Sequence, residues 1–531
     1  MAKGAATNGF FDLVIVGGGI IGAGVARDAA RRGLRAVLLE KNDFGSGTTA
    51  GSTRLIHGGL RYLEMLDFGL VRMDLRERET LLHIAPHLVK PLRFHLPYFN
   101  ASWFYRTKMK IGLGLYDLLS YDKSLPNRGY VPVAEIASSE PALRREGLRG
   151  ASTYYDAQVN MPERLCLENV LDAEQHGCTV RNSVEVTGAL HENGRVAGVC
   201  IRNEAGESEE IRARLVCNTS GPWFDGVAAR LQPESPHRVR MTKGVHLALE
   251  PLNHEAWVLF SPVDRRLFFM IPWMGMSWLG TTDTDFDGDP ADVAATPADV
   301  EYLLESAEYY FPAIRKQTLR FTNAGVRALV THPGKESAVS RSHQLVDGER
   351  QGAPGLVSVV GGKITGYRAI AEETTNLIVK RLGKGGACDT ASSPLPGAVN
   401  GEAAGRCAKE AMEAGIAADS AAALLPLYGA RLTELTAFCR RDASLAEKSH
   451  PDYPEIRRQV GLAIDQEHCR NLDDFLARRT ALAFSPDQGR KALEAVVSLM
   501  AARLGWDAGE TSRQRARWDA YLSRTSGAGK A

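Results

Sequence analysis

Residues 11–40 constrain this chain more than any other stretch. A short apolar run (11–16) leads into Gly17-x-Gly19-x-x-Gly22, a helical segment continues to Gly33, and a second apolar run (36–39) ends at Glu40. That order predicts a β-α-β unit. Each glycine then has a mechanical reason: Gly17 allows the tight turn, Gly19 lets a pyrophosphate approach the backbone, and Gly22 lets the helix pack on the strand. The helix N-terminus offers N–H groups and a partial positive charge to phosphates. Glu40, 18 residues after Gly22, can accept both hydroxyl protons of a ribose and repels a 2′-phosphate, which disfavours NADP. Glycine-rich turns are common, so the pattern alone is weak. The strand before it, the small Ala26 and Gly33 along the helix and the acidic end of the second strand all agree with it. The reading is a dinucleotide site.

The rest of the composition narrows the class. At 531 residues the chain has room for two to four domains, and 44% hydrophobic with 24% charged residues exclude wholesale disorder. Lys+Arg 64 against Asp+Glu 63 leaves a net charge of +1, so a dedicated nucleic-acid binder is not expected and any anion site must be local. The eight cysteines are never closer than 12 residues and form no CxxC pair, so no metal site is expected and they read as reduced thiols. The apolar stretch 13–26 is too short to span a bilayer and holds five glycines. With only Lys3 before it and Asp12 abutting it, it does not read as a signal peptide, and a cytoplasmic protein is expected.

Further along, residues 45–59 are rich in Gly, Ser and Thr and read as a long loop over something bound, followed by a helix over 67–84. Residues 80–116 lack Asp and Glu but carry Lys90, Arg93, Arg106, Lys108 and Lys110 among Phe94, Tyr98, Phe99, Trp103, Phe104 and Tyr105. Alternation over 180–217 predicts strands, with turns at 191–194 and 204–206, and further strands are expected over 240–283. A helix is expected near 297–310, and a buried strand at 356–360 is broken by Gly361-Gly362 and followed by a helix to about 382. The Ser/Pro/Gly stretch 391–397 is the best domain boundary, with Ala/Leu/Arg/Glu-rich helices beyond it.

The pattern GGGxxGxxxAxxxxxxG resembles the FAD version of the fingerprint, and more specific blocks extend the likeness. STRLIHGGLRYLE (52–64), NTSGPW (218–223), MTKGVH (241–246), IPW (271–273), GTTD (280–283), AGVR (324–327), GGKITGYR (361–368) and DFLARRTAL (474–482) stand in one order over most of the chain. They resemble the FAD-dependent glycerol-3-phosphate dehydrogenases, within the D-amino-acid-oxidase-like flavoenzymes. Arg54, Ala328 and Gly366 depart from that family's usual Lys, Pro and Thr. The fold implied is α/β: an FAD-binding Rossmann-like domain (9–90, 150–230 and 350–388), a β-rich substrate cap (91–149 and 231–349) and a C-terminal α-helical domain (395–525).

The resemblance also implies roles. FAD would be held by Gly17, Gly19, Gly22, Glu40, Thr48, Ser52, Gly221 and the run Gly361, Gly362, Lys363, Ile364, Thr365. Gly361-Gly362 would set a helix N-terminus under the pyrimidine edge of the flavin, where negative charge gathers on reduction, with Lys363 adding a full charge. Glycerol 3-phosphate, a small dianion, would meet Arg61, Arg327, Arg341 and Lys363, with Tyr62 and Thr281 as hydrogen-bonding partners. One Arg among 64 basic residues is ordinarily a surface residue, and only placement in these motifs singles these out. Oxidation at C2, with hydride to flavin N5, wants a base near neutral pKa. His246 and His57 are the motif histidines among thirteen, and Arg327 suits stabilisation of the developing alkoxide.

Electrons would pass to a membrane quinone, which implies peripheral, monotopic contact with the inner face of the cell membrane. Two segments suit that contact, residues 80–116 and the Arg-rich tail from 512, although a solvated basic face explains either as well. The C-terminal helices read as an interaction or homodimer surface. Two other readings stand beside this one. An oxidase of the same fold, acting on glycerol 3-phosphate, an amino acid or a 2-hydroxy acid, would form peroxide rapidly from O₂. A non-redox flavoprotein would bind nucleic acid or use FAD structurally, and the near-zero net charge speaks against nucleic acid.

Overall fold

The computed structural model describes residues 10–64, 66–331 and 343–526, without the side chains of Arg61 and Glu64. The described residues form two compact units, one within 1–49, 166–241 and 327–393, the other within 50–165, 242–326 and 394–531.

The first unit is built on an eight-stranded sheet. Its main path runs Gln344–Asp347, Leu356–Val360, Ser208–Asn218, Phe11–Val16, Ala36–Leu39, Thr179–Arg181, and the strands Val184–Glu192 and Arg195–Asn203 extend it as an antiparallel meander. The four strands ending at Val360, Asn218, Val16 and Leu39 are parallel neighbours. Phe11–Val16 is buried at all six positions, as a central parallel strand covered on both faces must be. The helix Ile20–Arg31 packs on the helix Tyr367–Leu382 at Gly24, where an added Cβ would meet Tyr367 and Ala371 at 3.0 and 3.1 Å. The hairpin turns fall where Asn193-Gly194 and Gly206 require them, each glycine at positive φ.

The second unit carries a ten-stranded sheet. Its main path runs Thr284–Asp285, Val239–Leu249, Met276–Gly280, Leu267–Trp273, Ala256–Phe260, Val89–Phe99, Leu148–Val159, Leu55–Ile56. Leu319–Val330 pairs with Val239–Leu249, and Gly129–Val131 with Leu148–Val159. The stretch 45–59, expected as loop throughout, contains the short strand Leu55–Ile56, paired with Gln158 and Ala157. Two residues give no periodic signal, so pairing with a strand a hundred residues away supplies what local sequence does not. The helix Phe68–Ile84 begins where Asp67 accepts the Leu70 N–H, and Pro297–Glu308 begins at a capping box of Thr296 and Asp299.

Beyond residue 394 the chain is helical, from Gly401–Glu413 to Ala508–Thr525. Its core of Leu432, Leu462, Phe475, Met500 and Trp518 is continuous with the buried aromatics Trp273, Trp278, Phe321 and Phe484 beside the sheet. Among the described residues no helix is long and apolar enough to cross a membrane, and none of the eight cysteines is in a disulfide.

Candidate active site

In the first unit the turns after Val16, Leu39, Asn218 and Val360 leave the same, carboxyl edge of the sheet, the edge where open α/β sheets bind ligands. The glycine turn there is closed by protein on three sides. A Cβ on Gly22 would come within 1.9 Å of the Gly17 carbonyl oxygen. One on Gly17 (φ +103°) would meet Ser220 Cα at 2.8 Å, and one on Gly18 the Phe44 ring at 2.6 Å. Gly19 differs, because a Cβ there would meet nothing nearer than Thr49 Oγ1 at 3.7 Å. Packing does not explain that glycine, whereas a pyrophosphate drawn against the backbone does. Gly19 is also the N-cap of the helix Ile20–Arg31 and carries no side chain to close its first turn.

Around this turn the motif residues lock together. Thr219 Oγ donates to the carbonyls of Val16 and Gly17 at 3.0 Å, which seats the 218–223 block against the turn. Glu40 accepts the Gly18 N–H at 2.7 Å and the Asn42 N–H at 2.8 Å. Burial raises its carboxyl above the ordinary range, against the pull of those two donors. Each carboxylate oxygen has a second lone pair, so the ribose hydroxyls expected there can still donate. Gly361 and Gly362 lie at φ +74° and +105° after the strand Leu356–Val360, with Gly362 against Ile21 and Ile370. Gly221, at φ +57°, has open space where a Cβ would stand. Lys363 and Ile364 are half-buried and Thr365 is buried in the same segment. Thr48 is exposed, while its neighbour Thr49 is buried and accepts the Ile20 N–H at 3.1 Å. Thr49 was not singled out from the sequence, because one Thr in a Gly/Ser/Thr-rich stretch carries no signal of its own.

The second unit holds the motif histidines. His246, 1% exposed, lies opposite Gly280 in the register of two antiparallel strands. A Cβ on Gly280 would meet its ring at 2.4 Å, so the GTTD glycine makes room for the imidazole. The ring stacks on Trp278 (centroids 5.2 Å, planes 12° apart) and its Nε2 is 3.0 Å from Thr53 Oγ1. His57 is half-buried, with its ring edge-on to Phe269 at 6.3 Å. The Gly58-Gly59 turn after it rests on a buried cluster that the sequence did not reveal. The Gly58 N–H reaches Tyr116 Oη at 2.9 Å, Tyr116 donates to Asp156, and Arg78 pairs with Asp156 at 2.7 Å. Gly59, at φ +71°, leaves room for the buried Tyr62 ring.

Of the other singled-out residues, Ser52 Oγ accepts the Arg54 N–H at 3.4 Å, and Thr281 Oγ donates to the Thr282 carbonyl at 3.1 Å. Gly51 and Gly325 are packed so closely that a Cβ on either would lie within 2.7 Å of the other's Cα, and Arg327 follows two residues later on Leu319–Val330. Arg61 stands in the short helix Arg61–Glu64, while Arg341 lies outside the described residues. The motif lysine Lys243 is committed to Asp299 at 2.6 Å, where it and Thr296 hold that carboxyl below the usual range despite its burial.

Arg54, one of the departures from the family pattern, is wholly buried at φ +63°. Its Nη2 and Nη1 reach Glu163 at 2.9 and 3.1 Å, and Nη1 also reaches the Asn160 carbonyl at 2.9 Å. The guanidinium lies 4.6 Å from the Trp273 ring centroid and 4.7 Å from that of Phe484. An Arg fork fits this bidentate, stacked place, and a Lys ammonium would fill only part of it.

Residues 12–376 match the model of the DAO family, described as FAD dependent oxidoreductase. Residues 388–511 match the C-terminal domain of alpha-glycerophosphate oxidase. The chain is 36% identical to a glycerol-3-phosphate dehydrogenase of Synechocystis sp., covering 97% of each chain. It is 32% identical to an aerobic glycerol-3-phosphate dehydrogenase of Staphylococcus haemolyticus, over 93% of this chain and 91% of that one. The crystal structure of the Bacillus halodurans glycerol-3-phosphate dehydrogenase complexed with FAD superposes with a TM-score of 0.81 at 28% identity, covering 99% of this chain and 97% of that one. The open backbone at Gly19 and the doubly anchored Glu40 fit the dinucleotide that such proteins carry. The chain therefore belongs to the FAD-dependent oxidoreductases of the D-amino-acid-oxidase type, in the branch of the glycerol-3-phosphate dehydrogenases.

Proposed function

We propose that this enzyme oxidises sn-glycerol 3-phosphate at C2 to dihydroxyacetone phosphate and delivers the electrons to a quinone at a membrane surface. The observation that carries the substrate is the near full-length likeness to relatives named glycerol-3-phosphate dehydrogenases. When bound, FAD supplies the two-electron acceptor for the C2 hydrogen. Gly17, Gly19, Gly22 and Gly221 cradle its phosphates in this reading, Glu40 holds a ribose, and Ser52, Thr48 and Gly361–Thr365 hold the flavin end.

The chain's own residues bind the dianion and move a proton. In this reading Arg61, Arg341 and Lys363 would bind the phosphate, with Tyr62 and Thr281 as hydrogen-bonding partners, as the family likeness implies. Arg327 stays charged and stabilises the alkoxide as it develops, rather than acting as a resting base. Of the two motif histidines, half-buried His57 is the better proton acceptor. His246 is covered by Trp278 and engaged by Thr53, which suits positioning.

The membrane half of the proposal is supported by the helix Trp103–Leu119. Phe104, Ile111 and Leu118, seven residues apart, are 73%, 68% and 66% exposed along one line of the helix. Trp103, at 72%, flanks that line, and Lys108 and Lys110 are exposed on the same helix. An exposed apolar stripe bordered by Lys and Trp suits a headgroup layer. Three of the four arginines of the competing tail are engaged instead in ion pairs, Arg513 with Glu510, Arg515 with Glu494 and Arg517 with Asp473. The test is reoxidation of the substrate-reduced enzyme by a short-chain quinone and by O₂, with and without anionic liposomes. Fast quinone turnover and little peroxide supports the reading, and rapid stoichiometric peroxide with slow quinone reduction replaces it with an oxidase.

A further inference from the structure

The second unit contains a cavity of about 480 Å³, within the size range of small-molecule sites. Met161, Met274, Leu424, Leu427, Leu482 and Phe484 make its walls apolar. None of the residues assigned above to FAD or to glycerol 3-phosphate borders it. Its polar lining includes one group that packing leaves unexplained. Glu455 is 3% exposed, and its Oε2 has no hydrogen-bond partner. Burying a carboxyl oxygen with nothing to bond is unfavourable, so such a group in a cavity wall marks the place of a missing partner.

The surroundings decide what that partner carries. Burial pushes the Glu455 carboxyl up to about 7, so near neutral pH it offers an O–H as well as an acceptor. His87 and Lys90 border the same cavity. Burial, helped by Arg164, Lys90 and Arg431, holds His87 down to about 3, so its imidazole is neutral. Tyr453, the remaining titratable group of the lining, gives its hydroxyl to Asp487. A cationic ligand would therefore meet the Lys90 ammonium, whereas an electron-rich oxygen finds the Glu455 O–H as donor and Lys90 as the nearby positive charge.

We propose that this cavity binds an apolar molecule ending in a hydrogen-bond acceptor, a carboxylate or a ring carbonyl, which Glu455 holds. The test uses the full-length, FAD-loaded protein and the fluorescent probe anilinonaphthalene sulfonate at pH 6.5. Saturable binding is expected to weaken at least tenfold in Ala423→Trp, where bulk enters the cavity from a half-buried helix position. Glu455→Leu is expected to weaken it similarly, while Glu455→Gln, which keeps an N–H donor, stays within about threefold of wild type. Unchanged anaerobic bleaching of the bound flavin by glycerol 3-phosphate in each variant shows that it has folded. Decanoate and a tail-less naphthoquinone are then run as competitors. Displacement by the first assigns a carboxylate head and by the second a carbonyl ring. Displacement by neither, or full probe binding by folded Ala423→Trp or Glu455→Leu, overturns the proposal.

Discussion

Replacing Arg54 by Met removes a guanidinium that is 1% exposed and leaves Glu163, also 1% exposed in its side chain, without its bidentate partner. Breaking a buried pair from one side costs about 3–5 kcal/mol, because the remaining charge stays desolvated. Lost cation–π contact with Trp273 and Phe484 adds roughly 1 kcal/mol, part of which the Met sulfur recovers against the same rings. A 531-residue flavoprotein of two units does not unfold in one step, so the thermal midpoint of tryptophan fluorescence is the practical readout. One kcal/mol moves a 150–250-residue domain by about 2–4 °C, and in this larger unit the expected fall is roughly 5 °C. The double variant Arg54→Met/Glu163→Leu removes both charges and is expected to recover most of that loss. Because Thr53, next to Arg54, holds His246, Arg54→Met should also slow turnover. A single variant within 1 °C of wild type, or a double variant that loses the sum of both singles, would refute the reasoning.

Other expected outcomes follow from the two units. Arg327→Ala should keep bound FAD while kcat and kcat/KM fall together by about 10²–10³, as for loss of one transition-state charge partner; wild-type turnover would remove Arg327 from the reaction. Glu40→Ala should raise the dissociation constant of FAD by roughly 10², the loss of charge-assisted ribose contacts, read as flavin released on dialysis. Glu467 is buried, but Arg164 and Arg431, each at 2.8 Å, overcome that burial and hold its carboxyl at about 2. Because the folded value is depressed, its stabilisation of about 3 kcal/mol is present above pH ~4.5 and fades as pH falls toward 2. The stability gap between wild type and Glu467→Gln should shrink by that amount across the same window in acid unfolding.

How far the sequence reads ahead of the structure depends on the range over which each constraint acts. The strands Phe11–Val16 and Ala36–Leu39, the glycine turn and Glu40 are local, and their pattern carries its own geometry. The hairpins of residues 184–218 were legible for the same reason, since their turns sit on glycines at positive φ. What escaped is long-range. The partner of Arg54 is 109 residues away and that of Arg164 is 303 away. The Asp156–Arg78–Tyr116 cluster beneath the Gly58 turn joins three separate elements, so no periodicity announces it. Phe484 likewise belongs to a C-terminal stretch whose helical spacing gives no hint that it closes over Arg54.

The central claim is tested most directly by anaerobic titration of the purified, FAD-loaded protein with glycerol 3-phosphate, following the visible flavin band, with glycerol and a D-amino acid in parallel. Bleaching by glycerol 3-phosphate alone is the expected result, because the account requires both the secondary alcohol and the phosphate. An unbleached flavin with glycerol 3-phosphate, or equal bleaching by glycerol or the amino acid, would contradict it.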